Sequence, residues 1–309
     1  MEFRTAIALE IGRLHQPVVT DYQLGSLVFR LYEAKTYRGE ALDGMPAARP
    51  ERAQFTRLVA ALVTEGILQQ TPAVSNKDVW VVLGQDQAAA EDILCCVDPF
   101  CYLSHLSAMD YHGLTDRLPK LLFVTSLPAP QWGRRATESM QKALGAEGLA
   151  TYLQAGLPPL RRLRLDKINR KVISVHTSVQ RDPGAYVTVQ GKPRRVATIG
   201  RTFLDMLRAP DSCGGIYHVM DRYAAEAPRY LRLIVDEIDR HGTNIDKVRA
   251  GYVLAERLKL AHPAFDAWRA FAQRGGSRKL YAQAGYSPRF SETWCLSINI
   301  DEADAAEEA

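Results

Sequence analysis

Between Pro50 and Gly66 the apolar residues fall at Phe55, Leu58, Val59, Leu62 and Val63. That spacing (i, i+3, i+4, i+7, i+8) gathers them on one face of a helix and on no face of a strand. Pro50 suits a first helical turn and Gly66 a stop. The runs ILQQT and DVWVVLG follow, joined through AVSNK, with the β-branched and aromatic content of two strands. Two further helical patterns precede. Thr5–Leu14 carries Ile7, Leu9, Ile11 and Leu14 and ends at Gln16-Pro17. Thr20 or Asp21 can then cap a helix with Leu24, Leu27, Val28, Leu31 and Tyr32 on one face. The polar stretch from Glu33 to Arg49, with Gly39, Gly44 and Pro46, reads as loop.

Three helices and a hairpin over residues 1–85 give the order of a winged helix-turn-helix. In that fold the third helix enters the DNA major groove and the hairpin touches the backbone. The exposed positions of the third helix would be Arg52, Gln54, Thr56 and Arg57, where Arg or Gln reaches base edges and Thr56 a phosphate. Small helical domains ending in a hairpin also serve as dimerisation or docking modules. Residues 1–85 hold nine bases and nine acids, so tight DNA binding would need a dimer on DNA or cations from elsewhere in the chain.

Those cations are concentrated further on. The chain as a whole is +4, but residues 117–201 hold sixteen Lys and Arg against four Asp and Glu, a net +12. Such a concentration suggests a polyanion partner. The densest run is Leu157–His176, where Arg161, Arg162, Arg164, Lys167, Arg170 and Lys171 fall within eleven residues. If Leu160–Leu165 is a strand, Arg162 and Arg164 share one face, opposite Arg161, Leu163 and Leu165. Arg194 and Arg195 extend the patch. Phosphate contacts by such side chains make binding strongly salt-dependent. The alternative is that some of these arginines lay their stems over apolar surface or pair with the C-terminal DEADAAEEA, five acids without a base.

Gln85–Asp92 reads as a linker or short connecting helix, and a second domain begins near Cys95. Its expected strands are LLFVTS, Leu160–Leu165, Lys171–Thr177, Val196–Ile199 and WCLSINI, with a turn at Asp182-Pro183-Gly184. Arg134–Leu153 is mixed helical and polar. Helices are expected at Arg201–Arg208, Tyr217–Ala225, Arg229–His241 and Ile245–Leu260. Strands and helices mix without regular βαβ alternation, which favours an α+β class. The expected domains are therefore 1–85, a winged helix-turn-helix; 95–300, mixed α+β; and 301–309, an acidic disordered tail.

The segment DPFCYLSHLSAMDYHGLTDRLPK, Asp98–Lys120, holds the residue types of a catalytic site. On a helix from Ser104 to His112 its two histidines are seven residues apart, roughly 10 Å, too far to share a metal. Ser104 and His105 are sequence neighbours expected to point in different directions, and no GxSxG elbow surrounds the serine. Ser104 suits an N-cap and Gly113 a C-cap, so the segment reads as a capped, mostly buried helix. Arg201 and Asp205, at i, i+4, read as a helical ion pair. His176, His218 and His241 have no partner visible in sequence. A nuclease would need clustered carboxylates, and the basic half offers only Asp166 and Asp182. The five cysteines, Cys95, Cys96, Cys101, Cys213 and Cys295, include no CxxC, which argues against zinc and against a disulfide framework. A reducing cytoplasm fits best. The N-terminus resembles an amphipathic helix more than a signal peptide, and no apolar run approaches the ~20 residues that span a bilayer.

YLSHLSAMDYHGLTDRLPKLLFVTS resembles a segment of the AbiEi family, the antitoxins and transcriptional regulators of type IV (abortive infection) toxin–antitoxin systems. RVATIGRTFLDMLRAPDSCGGIYHVMDRYA, Arg195–Ala224, is similar to a second family stretch. SRKLYAQAGY and ETWCLSINI are similar, more weakly, to its C-terminal segments. Where the family has Glu-Arg-Thr, this chain has Gly200-Arg201-Thr202. The resemblance implies a non-catalytic DNA-binding repressor that needs no cofactor or metal. It would bind inverted repeats in its own promoter and oppose a nucleotidyltransferase toxin, AbiEii-like, functionally rather than in a stable complex. The alternative is a protein-interaction module that binds and neutralises a partner toxin directly.

Overall fold

The computed structural model describes residues 1–45, 49–72, 74, 76–85, 87–177, 185–273 and 278–300. Helix α1 (Phe3–Arg13) buries Phe3, Ala6, Ile7 and Ile11. Strand β1 (Val18–Thr20) follows, buried along its length. Helix α2 (Asp21–Ala34) starts on a reciprocal cap: Thr20 Oγ1 accepts the Gln23 N–H at 3.3 Å, and Gln23 Oε1 accepts the Thr20 N–H at 2.8 Å. Strands β2 (Thr36–Tyr37) and β3 (Glu40–Ala41) pair within the stretch expected as loop. Helix α3 (Arg52–Thr64) buries Phe55, Val59 and Leu62, while Val63, expected on the same face, is exposed. Strands β4 (Leu68–Gln69) and β5 (Val79–Val82) complete an antiparallel sheet of order β1-β5-β4. Helical periodicity does not disclose β1, which consists of three residues between two helices.

Helix α4 (Ala90–Val97) begins inside Gln85–Asp92, the stretch expected as a linker or short connecting helix, and runs on past Cys95. Then come β6 (Tyr102–Leu103), α5 (His105–Tyr111), β7 (Leu121–Ser126), α6 (Ala129–Leu144) and α7 (Ala146–Gln154). Strands β8 (Lys167–Ile168) and β9 (Lys171–Thr177) form a hairpin whose turn residues, Asn169 and Arg170, both have positive φ (47° and 69°). This is the geometry of a type I′ turn, which favours Asn and Gly. Leu160–Leu165 is not the expected strand. It follows Pro158-Pro159, which offer no N–H, and its groups find other partners: the Leu160 N–H meets Met140 Sδ, and Arg162 Nη1 donates to the Leu127 carbonyl at 3.1 Å. Strands β10 (Tyr186–Thr188) and β11 (Arg195–Ala197) follow, with Val196 parallel to Leu103. The turn expected at 182–184 and the acidic segment 301–309 lie outside the described residues.

Helix α8 (Ile199–Arg208) is capped by Thr198, whose Oγ1 accepts the Arg201 N–H at 3.2 Å. Gly214 and Gly215, both at positive φ, make the expected turn into α9. Helix α9 (Ile216–His241) runs unbroken through Pro228, where two helices were expected. A proline removes one backbone bond, and the buried row Tyr223, Ala227, Ile234, Val235 and Ile238 carries the helix through. Helix α10 (Asn244–Gly251) passes into a π-helical turn at Tyr252–Arg257. Helix α11 (Ala264–Arg269) and the pair β12 (Phe290–Ser291) and β13 (Leu296–Ser297) close the fold. The fold is mixed α and β with several sheets, as the expected α+β class requires. Among the described residues, no helix is long and apolar enough to cross a membrane.

Two compact units divide the chain. One comprises Met1–Tyr102, Thr125–Val179 and Thr188–Arg195; the other comprises the described residues of Leu103–Val124, Gln180–Val187 and Val196–Ala309. This differs from a boundary between residues 85 and 95, and the reason is packing. Met140, Tyr152 and Leu157 are buried in the same core as Ile7, Leu24, Val28, Phe55 and Leu62. A Cβ at Gly25, in the middle of α2, would lie 2.5 Å from Tyr152 Oη. Glycine costs about 1 kcal/mol in a helix relative to alanine, and here it admits the tyrosine, whose hydroxyl donates to the Pro158 carbonyl at 2.6 Å. In the other unit the core is built on Phe203, Tyr223, Trp268 and Trp294. A Cβ at Gly200 would lie 2.3 Å from the Leu233 carbonyl oxygen and 2.9 Å from Glu237 Cβ. Helices α8 and α9 therefore approach too closely for any side chain at 200.

Gly25→Ala is expected to lower stability by about 1–3 kcal/mol through overpacking against Tyr152, measured by urea unfolding. A gain would mean that the tyrosine yields. A second expectation concerns Asp205, buried on α8, whose carboxyl burial pushes up to about 7, against the pull of Arg201 and Arg208. The folded state then holds this proton more tightly than the unfolded chain, so its contribution to stability falls as pH rises from about 4 to about 7. Relative to the native chain, Asp205→Asn should therefore gain about 2–3 kcal/mol between pH 5 and pH 8. A difference independent of pH would contradict the assignment.

Candidate nucleic-acid interface

The first unit contains every residue that the sequence nominates for DNA. On α3, Arg52, Thr56 and Arg57 are exposed. Gln54 is not available in the same way. It is half-buried, and its Oε1 accepts the Glu51 N–H at 3.1 Å, as a glutamine in the third helical position does when it reaches back to cap a helix. Thr56 Oγ1 donates to the Arg52 carbonyl at 3.0 Å, leaving oxygen lone pairs outward but no spare proton. Arg52 lays its guanidinium 5.8 Å from the Phe55 ring centre, and its backbone N–H donates to the Ala155 carbonyl at 3.1 Å. Arg57 has no ion-pair partner among the described residues. Over its first turns the other exposed positions, Ala53 and Ala60, are small, so a ligand could approach the helix backbone closely there.

The hairpin β4–β5 does not stand free. Val74 forms an antiparallel bridge with Ile168, and Asn76 Nδ2 donates to the Arg164 carbonyl at 3.3 Å. At the hairpin base Asp78 pairs with Arg161, and Trp80 Nε1 donates to Asp21 Oδ1 at 2.7 Å. Burial raises the Asp21 carboxyl above its usual range. The basic run thus lies alongside the hairpin. Arg164, Lys167 and Arg170 are exposed there, and so is Lys77 on the hairpin itself. Lys77 was legible only as part of a joining segment; its place in a two-strand connection was the available signal. Arg52, Asp78 and Arg161 also line one small cleft of about 90 Å³, joining the start of α3 to the start of the basic run.

Other members of the nominated patch do structural work. Arg162 spends its guanidinium on the Leu127 carbonyl, and Lys171 pairs with Glu91 at 2.7 Å. Arg194 grips both carboxylate oxygens of Asp92, at 2.9 and 3.1 Å, with both side chains largely covered. Arg195 donates to the carbonyls of Cys101, Cys95 and Asp98 at 2.7–2.9 Å. It ties the end of α4 to the chain that follows. A guanidinium so occupied cannot serve a phosphate without leaving three carbonyls unmet. The expected face shared by Arg162 and Arg164 does not form, because no strand carries them.

In the second unit Ser104 Oγ and His105 Nδ1 lie 2.8 Å apart, correcting the expectation that they diverge. His105 has φ 52°, which swings its ring back to the serine. Ser104 is fully buried and His105 nearly so, so the pair meets no solvent. Ser104 occupies the N-cap position but caps with no side-chain bond. His112 Nε2 meets the Ala197 carbonyl at 2.7 Å, and burial lowers its pKa. Arg201 pairs with Glu237 at 2.7 Å, both buried, not with Asp205 as expected. His218 Nε2 meets Thr115 Oγ1 at 2.9 Å. Among the described residues, no group of three His, Cys, Asp or Glu could hold a metal, and all five cysteines are buried free thiols.

No family model matches the chain, and no curated protein matches it. Among solved structures, that of the RV2827C protein from Mycobacterium tuberculosis aligns with 94% of this chain and 89% of its own, at 15% identity and a TM-score of 0.44. A likeness at that level does not define a shared fold.

Two substitutions separate structure from surface. Arg195→Ala should cost about 2–4 kcal/mol, because three covered carbonyls lose a charged donor. Arg170→Gly should leave stability unchanged or raise it by up to about 1 kcal/mol, because glycine tolerates φ 69° and arginine does not. Thermal melts of the two variants check this. Equal losses would mean that Arg170 also has a buried role.

Proposed function

We propose that the chain is a DNA-binding transcriptional repressor whose first 85 residues form a winged helix-turn-helix. In this reading α3 is the recognition helix and β4–β5 the wing. The observation that carries it is the order helix, strand, helix, a short two-strand pair (β2–β3), helix, strand, strand, with sheet order β1-β5-β4, together with a basic strip seated against the hairpin. Arg52 and Arg57 supply base contacts, and Thr56, whose proton goes to the Arg52 carbonyl, accepts from a water that donates in turn to a phosphate. Arg164, Lys167, Arg170 and Lys77 supply phosphate contacts beside the wing. Arg164, Lys167 and Arg170, from outside residues 1–85, add the positive charge that this neutral segment lacks.

On the AbiEi resemblance, the promoter is the chain's own, with inverted repeats bound by a dimer. The chain then opposes a nucleotidyltransferase toxin in the cytoplasm without catalysis and without a stable complex. Support for this finer reading comes from Tyr102–Ser126 and Arg195–Ala224, the two motif segments quoted above.

A mobility-shift titration on DNA upstream of the gene tests the reading. The native chain should prefer that DNA over random sequence. Arg52→Glu with Arg57→Glu should abolish the preference. Arg164→Ala with Arg170→Gly should weaken binding to both DNAs and reduce the slope of log affinity against log salt by about 2. Equal affinity for both DNAs in the native chain would overturn promoter recognition. High-salt co-purification with a neighbouring nucleotidyltransferase would favour direct toxin binding instead.

A further inference from the structure

Helices α1, α2 and α3, with Gly44 and Pro50, line an open pocket of about 200 Å³. The apolar part of its lining comes from Phe3, Val28, Tyr32, Phe55 and Leu58, with the Phe3 and Tyr32 rings edge to face at 4.9 Å. An apolar cavity of about 150 Å³ holds a benzene molecule, so this one has room for a single ring with a substituent. Four charged groups stand at its lining: Glu2, Arg4, Glu51 and Arg57. Arg4 is committed, paired with Glu65 and lying 3.7 Å from Glu2. Glu51 precedes the first turn of α3, where the helix dipole accommodates a negative charge. Arg57 is left as the one cation at the cavity without an acidic partner among the described residues. The lining therefore matches a flat apolar body with one anionic group.

We propose that this cavity binds a small aromatic monocarboxylate, its ring among Phe3, Tyr32 and Phe55 and its carboxylate on Arg57. The site deepens the DNA-binding reading and rests on it for its consequence. Arg57 cannot hold a carboxylate and a base edge at once, so an occupied cavity releases DNA. Binding and release would then be linked with the reciprocal coupling that any shared residue imposes. The ligand would act as an inducer, relieving repression when aromatic acids accumulate.

Calorimetric titration of the full chain with sodium benzoate tests the site without DNA. Saturable one-site binding is expected. Benzyl alcohol and benzylamine, which keep the ring and lose the anion, should bind at least about tenfold more weakly, the worth of one charge-assisted bond. Arg57→Gln should show a similar loss. Ala61→Trp, which fills the cavity from α3 while leaving Arg57 in place, should abolish binding; circular dichroism verifies that each variant is folded. No saturation by benzoate, or benzyl alcohol binding as tightly as benzoate, overturns the proposal. So does unchanged affinity in folded Arg57→Gln and Ala61→Trp. Adding benzoate to the mobility shift separates the two readings. Benzoate binding without any promoter preference leaves the site and removes the repressor; promoter preference insensitive to bound benzoate removes the inducer role alone.

Discussion

The structure of the first unit depends on the seating of a hairpin. Between β4 and β5 the chain bridges Val74 to Ile168, donates from Asn76 to the Arg164 backbone and pairs Asp78 with Arg161. None of these bonds is strong by itself. The exposed ion pair is worth at most about 1 kcal/mol. Their effect is positional: they fix a segment from the second half of the chain against a hairpin from the first. A sequence separation of some ninety residues becomes a backbone contact, and cations that a linear map assigns to another domain become part of the helical unit.

Packing makes that arrangement possible. Gly25 opens a notch in α2 for Tyr152, and Met140 and Leu157 enter the same core. The chain between Leu157 and Lys167 is thereby held in an irregular path over the unit, and its hydrogen bonds go to Met140, Leu127 and Asn76 instead of to a ladder. Arg195 closes a second link with three carbonyls around α4. The basic segment thus contains two kinds of cation. Arg162, Arg194 and Arg195 hold the fold. Arg164, Lys167 and Arg170 are exposed, and Arg170 is presented from a backbone conformation that suits glycine better. A residue kept in such a conformation points to a use beyond folding.

Much of this was legible locally. The apolar spacing gave α1, α2 and α3, the β-branched runs gave β7 and β9, and Thr20 and Gly214-Gly215 marked their turns. What escaped were features set by distant partners. β1 is three residues long and exists because β5 lies beside it. The Leu160–Leu165 run has strand composition but no strand to pair with. α9 passes Pro228 because a buried row holds it. Gln54 looked like a base reader and is a cap, a role its spacing from Glu51 did encode. Charge density marked the basic run but could not tell carbonyl-bound arginines from exposed ones, since that depends on Leu127, Cys95 and Cys101 being near. Ser104 and His105 meet only because His105 adopts a positive φ, which no residue type announces.

If the seated hairpin unites α3 and the basic strip into one surface, DNA should touch both in a single event. Amide hydrogen exchange read by mass spectrometry, across a titration with a promoter fragment, measures this most directly. The account requires residues 52–64 and 161–171 to gain protection together, with a common midpoint. Protection of one segment without the other, or protection confined to residues 199–300, would contradict it.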